Sequence, residues 1–227
     1  VDNDYNRQTM KSANLRAAFS LLALPLAGMT GALVTMSASI RVLRFIWNPY
    51  GSLVFGIAIA GCLWLFLGLR SNGKTLIFVL ASIASAYLAG LSAVFVTGNL
   101  FPPKDARVFF TGGYVGAFVV VSAALFLLSA NAKIFRVLMQ AACWSVVGGA
   151  LAVIGQNSGS WFGRIRSYFV FMHLDPRKAN LFAAWPNSDL ALMLVWQTGM
   201  GLVIALVLWM ERRRLANSAS PAREQVK

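Results

Sequence analysis

Charge is what this chain is short of. Only 12% of its 227 residues are Asp, Glu, Lys or Arg, where a water-soluble domain carries about 25%. With 58% of the residues hydrophobic, so few charges cannot cover a water-facing surface. Histidine and cysteine are scarcer still, at one and two residues. A single imidazole cannot supply the usual multi-ligand metal site, and no serine or cysteine nucleophile stands in a recognisable arrangement with it. Neither a metal nor a cofactor is implied. Cys62 and Cys143 fall inside apolar windows and read as small packing residues, without a disulfide framework or metal-ligand spacing. No Asp, Glu, Lys, Arg or His falls deep inside any apolar window. Ionisable groups in a membrane mark proton relays and ion pathways, so their absence disfavours a proton-coupled pump.

What the chain has is length in its apolar runs. Apolar windows with almost no charge predict membrane spans near residues 17–40, 51–69, 75–97, 108–130, 134–156 and 190–210. A helix needs about 20 residues to cross about 30 Å of hydrocarbon. The expected fold is an all-α integral membrane protein: a compact bundle of about six transmembrane helices over residues 17–210, with one interfacial amphipathic helix near 160–174. A polar basic tail, 1–16, precedes it and a basic tail, 211–227, follows. Lys11 and Arg16 before the first run, and Ser37-Ala38-Ser39 after it, resemble a signal peptide. The run is longer than the usual 7 to 15 residues of such a region, so a retained span is expected.

The net charge of +13 raises nucleic acid as a partner. The basic residues lie at the ends of apolar windows rather than along one stripe, so no nucleic-acid partner is expected and the lipid bilayer is. With six spans and a cytoplasmic N-terminus, twelve Lys and Arg fall inside and eight outside, which favours both termini in the cytoplasm. Glu211-Arg212-Arg213-Arg214, directly after the last window, anchors that orientation. Compact loops without a eukaryotic targeting signal make a bacterial inner membrane the default location.

One motif cuts across this reading. Gly68 to Thr75, GLRSNGKT, fits the phosphate-loop pattern G-x-x-x-x-G-K-[ST]. A true phosphate loop follows a strand in a parallel sheet, and an open sheet does not exist in lipid. Nucleotide binding there is therefore read as a false positive: Ser71, Asn72 and Gly73 make a tight turn between spans, and Arg70 and Lys74 mark the membrane surface.

Helices in lipid associate by close approach through small residues. Gly112 and Gly116 form a GxxxG; Ser82, Ala86 and Gly90 line the third span; Ala141, Ser145 and Gly149 line the fifth. These stripes serve a compact bundle, or equally contacts with a protein partner or a second copy. Pro25 should kink the first span. Among polar groups within the spans, Gln140, Ser145, Gln197, Thr198 and Tyr87 stand out. Gln140 and Gln197, with Thr198, would line a polar pathway if they face each other; as simple interhelical hydrogen bonds they are worth about a kcal/mol each.

In the longest connection, Trp161, Ile165, Tyr168, Phe169 and Met172 recur at helical spacing, which suits a helix lying in the headgroup layer. His173, Asp175, Arg177 and Lys178 cluster at its end. His173 and Asp175 are candidates for an acid–base pair, with Arg177 and Lys178 to hold a lipid phosphate or another anion; otherwise they are a solvated turn with snorkelling basic side chains. The leading functional expectation is a non-enzymatic membrane subunit or anchor in a larger assembly. A small permease or channel for a neutral or anionic solute and a lipid-headgroup-modifying enzyme are the alternatives.

Overall fold

The computed structural model describes residues 19, 21–33, 49–67, 72–102, 105–128, 133–161 and 187–219. The principal elements are α1 (Leu21–Leu33), α2 (Pro49–Leu67), α3 (Asn72–Leu91), α4 (Ala106–Leu128), α5 (Ile134–Asn157) and α6 (Asn187–Ala219). No strand occurs among the described residues. Four stretches are long and apolar enough to cross a membrane: Gly73–Phe95, Ala106–Leu127, Ile134–Asn157 and Ala191–Arg214. The expected windows near 17–40 and 51–69 are represented by shorter apolar helices, Leu21–Leu33 and Ser52–Leu65. The interfacial helix expected near 160–174 lies outside the described residues beyond Trp161.

Neighbouring helices run antiparallel, and glycine sets how closely. Gly113 on α4 lies under Ala152 and Gly148 of α5, where a Cβ would meet the Ala152 Cβ at 2.5 Å and the Gly148 carbonyl at 2.7 Å. Further down the same pair, Gly148 gives its space to the Ala117 methyl. The α1–α6 contact is backbone on backbone: Gly28 sits against the Gln197 carbonyl, and Gly201 against the Leu24 carbonyl and the Pro25 Cα. Lipid tails are as apolar as leucine, so such packing and the dispersion it allows replace the hydrophobic drive of a soluble core. The interior is filled by Phe55, Ile59, Phe78, Leu125, Met200 and Ile204, all fully buried.

Two helix ends have local chemistry of their own. The last turn of α3 widens into a π-helical segment, Ser92–Thr97, closed by the Gly98 N–H donating five residues back to the Ala93 carbonyl at 2.8 Å. The Thr97 hydroxyl donates to the same oxygen at 2.9 Å. At the start of α4, the Asp105 carboxylate accepts the Arg107 backbone N–H at 2.8 Å and holds the Arg107 guanidinium through Nε at 2.9 Å and Nη2 at 2.7 Å. That guanidinium lies 3.6 Å over the Phe101 ring, a cation–π contact.

α6 is longer than the window near 190–210 suggests. It continues through Glu211 and the three arginines to Ala219. The charges therefore extend the helix out of the apolar layer rather than ending it: Glu and Arg are good helix formers, and Arg213 stacks over Trp209 one turn back at 3.8 Å.

The packing predicts opposite outcomes for two glycines. Gly201→Ala should lower unfolding free energy in detergent by about 1–3 kcal/mol, because the new methyl meets backbone atoms that cannot rotate away. Gly61→Ala, with no atom within 4 Å of the new methyl, should be neutral or stabilising by up to about 1 kcal/mol. Equal losses would contradict the α1–α6 contact. The Arg107 hydrogen bonds hold the Asp105 carboxyl at about 2, below its ordinary 3.8. Its contribution is complete above the ordinary value and is lost as pH falls through about 2. A carboxyl titration followed by NMR should show that midpoint, and Arg107→Gln should raise it.

Candidate functional site

Polar groups gather at two places in the bundle, one at each end of the helices. The first builds on Arg136 and Gln140, one turn apart on α5 and therefore on one face. Across from them α6 presents Glu211, only 3% exposed. The Arg136 Nη2 donates to both carboxylate oxygens of Glu211, at 2.6 Å to Oε1 and 2.5 Å to Oε2. The Gln140 side-chain N–H adds a third bond to Oε1 at 2.8 Å. The Arg136 side chain is 32% exposed, and its Nε is buried without a partner. Glu211 is thus a buried carboxylate that joins α5 to α6. A buried charge in apolar surroundings is tolerated only when paired and hydrogen-bonded, and here it is both.

Gln140 thus makes an interhelical hydrogen bond, the other of its two readings, and does not face Gln197. Residues 197 and 211 are 14 positions apart on α6, about 21 Å at 1.5 Å per residue. One polar pathway through both amides does not exist in this arrangement. Thr198 lies instead at the α1 contact, its Cα against Gly28.

The second polar place is the opposite end, near the C-terminal part of α3 and the first turns of α4 and α6. A cavity of about 290 Å³ opens there, walled mainly by small and apolar side chains. Ala86, Gly90 and Gly112 line it, Gly112 while also packing closely on its neighbours, where an added Cβ would meet the Ala89 carbonyl at 3.1 Å and the Ala93 Cβ at 3.2 Å. Trp196 and Gln197 of α6 line the same cavity. The Trp196 Nε1 and the Gln197 Oε1 are both buried without a hydrogen-bond partner. The Gln197 amide N–H has only the Met193 thioether, at 3.8 Å, a weak acceptor. Leaving a buried donor or acceptor unmet costs about 1–3 kcal/mol.

The other stripes do pack inside the bundle. Ser82 is fully buried against Gly56 and donates to the Phe78 carbonyl at 2.9 Å. Gly116 leaves room for Trp196 and Ala89, and Gly149 for the Phe110 ring. Ala141 and Ser145 are fully buried, the serine hydroxyl turned back to the Ala141 carbonyl. In the phosphate-loop match, residues 68–71 lie outside the described residues, while Gly73, Lys74 and Thr75 belong to the first turn of α3. The Lys74 amine donates to the Leu127 carbonyl at 3.3 Å, at the C-terminal end of α4. His173, Asp175, Arg177 and Lys178 lie outside the described residues.

Composition and architecture together define a helical membrane protein with four membrane-length apolar helices. Comparison with protein-family models, with curated proteins and with solved structures finds no match.

The buried pair can be tested by unfolding in detergent. Arg136→Leu strands the Glu211 carboxylate and should cost about 3–5 kcal/mol. Glu211→Leu should cost less, because Arg136 is one-third exposed and can turn toward solvent. The double variant should recover most of the loss. Single variants each costing under about 1 kcal/mol would instead mark a surface bridge.

Proposed function

We propose that the chain is a non-enzymatic, multi-pass membrane subunit that anchors a partner protein through the outer face of α3. The observation that carries this reading is Tyr87. Only 17% of the membrane-length stretch of α3 is buried, against 56% for α4, and Tyr87 stands 38% exposed on its open face. It lies three residues past the middle of Gly73–Phe95, about 4.5 Å along the axis. Its hydroxyl has no hydrogen-bond partner among the described residues. Tyrosines that face lipid concentrate at the membrane–water interface, where the hydroxyl is wet. A tyrosine near mid-span with a free hydroxyl fits a neighbouring transmembrane helix that offers an acceptor.

Six spans with both termini cytoplasmic accompany this reading. The start of α1 and the end of α6 lie at one end of the bundle, together with Lys74, Lys133, Arg136 and Arg212 to Arg214, and an excess of Lys and Arg favours the cytoplasmic side. The bacterial inner membrane remains the proposed location. The small-residue stripes are largely spent within the bundle, so they do not compete with α3 for the partner.

A photoreactive amino acid at position 87, activated in the native membrane, should give one discrete adduct with a single protein. The same group at Phe135, 73% exposed on α5, should give lipid adducts only. Tyr87→Phe should lower the amount of co-purified partner by about threefold to tenfold, the worth of one hydrogen bond of about 0.5–1.5 kcal/mol. Lipid adducts alone at both positions would end the subunit reading.

A further inference from the structure

We propose that the cavity at the C-terminal end of α3 is a binding site for a small neutral lipophile whose polar head both donates and accepts a hydrogen bond, as an alcohol or phenol does. Three independent features converge on it. The volume, about 290 Å³, is at the lower end of small-molecule sites. Its wall includes many residues without bulk, Ala86, Ala89 and Gly90 on α3, Ala93 in the π-helical segment and Gly112 on α4. One side carries the Trp196 Nε1 donor and the Gln197 amide, neither with an adequate partner, and Gln197 is 97% removed from solvent, being 3% exposed.

Several other buried polar groups are satisfied within the bundle. The Ser82, Ser85 and Ser145 hydroxyls turn to carbonyls of their own helices, and Glu211 has two partners. Unmet buried atoms also occur on Ser122, Arg136 and Gln156, but of these residues only Trp196 and Gln197, consecutive in sequence and supplying one donor and one acceptor, line the cavity. Among the described residues no Asp, Glu, Lys, Arg or His lines the space, which favours a neutral head over a carboxylate, phosphate or ammonium. The apolar remainder of the wall suits a hydrocarbon body. The adjoining π-helical segment Ser92–Thr97 belongs to the same corner, for Ala93, whose carbonyl closes it, is a wall residue. Such segments recur at functional sites. The proposal does not depend on the partner proposed for α3, since the cavity lies on its inner side.

The test uses the full chain in detergent and an octanol bearing a photoreactive diazirine. Labelled peptides should map to the cavity segments, residues 85–93 and 108–113, and excess unlabelled octanol should compete while n-octane, which lacks the head, should not. Trp196→Phe and Gln197→Leu should each weaken labelling by about threefold to tenfold, the loss of one hydrogen bond. Both variants should also leave the unliganded protein as stable as before or raise its melting temperature, since each removes an unmet polar group. A purely structural role would lower it. Equal competition by n-octane, a uniform label over the outer helix faces, or a cavity holding water alone would overturn the proposal. Organic extraction of the protein taken from its membrane separates two sources. A co-purified hydroxylated lipid places the ligand in the bilayer, and a chain that arrives empty but takes up octanol places it among solutes from outside.

Discussion

In a bilayer, two helices gain nothing from hiding leucine from lipid, so the distance of closest approach decides whether they stay together. The contacts of this bundle obey that constraint. Gly28 and Gly201 bring the backbones of α1 and α6 into direct contact, and Gly113 and Gly148 do the same for α4 and α5. Everything else depends on these contacts. Between α5 and α6, Gly155 lies against the Leu192 Cα and the Ala191 carbonyl, and Gly199 against Leu151, and the register of these contacts sets Glu211 opposite Arg136 and Gln140. A shift by one helical turn, 5.4 Å, would part the carboxylate from both donors and leave a buried charge alone. Glycine positions and the ion pair thus specify one alignment twice, first by steric fit and then by charge.

That double specification also explains how a charged pair survives in so apolar a protein. The pair sits where the basic ends of α3, α5 and α6 collect, close to the boundary at which long side chains reach water. Arg136 remains one-third exposed while Glu211 is covered. The unequal burial lets the guanidinium stay hydrated while it neutralises a carboxylate that cannot. Lys74 plays a related part at the same end, its ammonium set on the last carbonyls of α4, where a cation is favoured by the helix dipole.

The sequence announced the helices because the bilayer imposes one rule on every span: a long uncharged run. The third to sixth windows each contain a membrane-length helix, within a few residues at most ends. The small-residue stripes were legible for the same reason, since spacing by four puts them on one face. Glu211 was not. Beside three arginines it looks like part of a solvated run, and only the partner's position shows otherwise. A usable signal was present in Arg136 and Gln140, a cation and an amide one turn apart at the start of α5, at the depth that an antiparallel α6 gives Glu211. Residue type alone left open whether Gln140 meets Gln197 or another helix, because it carries no depth; the depth of Glu211 decides it. The cavity was invisible too: Ala86, Gly90 and Gly112 lie on small-residue stripes, and such a stripe gives no sign that an open volume lies beside the contact it makes.

What separates those two cases is the polar bookkeeping of the wall. At the α4–α5 contact, small residues meet backbone and methyl groups that need nothing more. At the α3–α6 corner the facing side chains are an indole N–H and a carboxamide, groups whose burial is unfavourable until they are paired. Leucine or phenylalanine at 196 and 197 would have closed the corner with no such penalty. The protein instead spends stability there while meeting the needs of a carboxylate at the other end of the same helix. Ser122, Arg136 and Gln156 also carry unmet buried atoms, but none of those residues lines the open volume; the conjunction of unmet donor, unmet acceptor and space is what sets the α3–α6 corner apart.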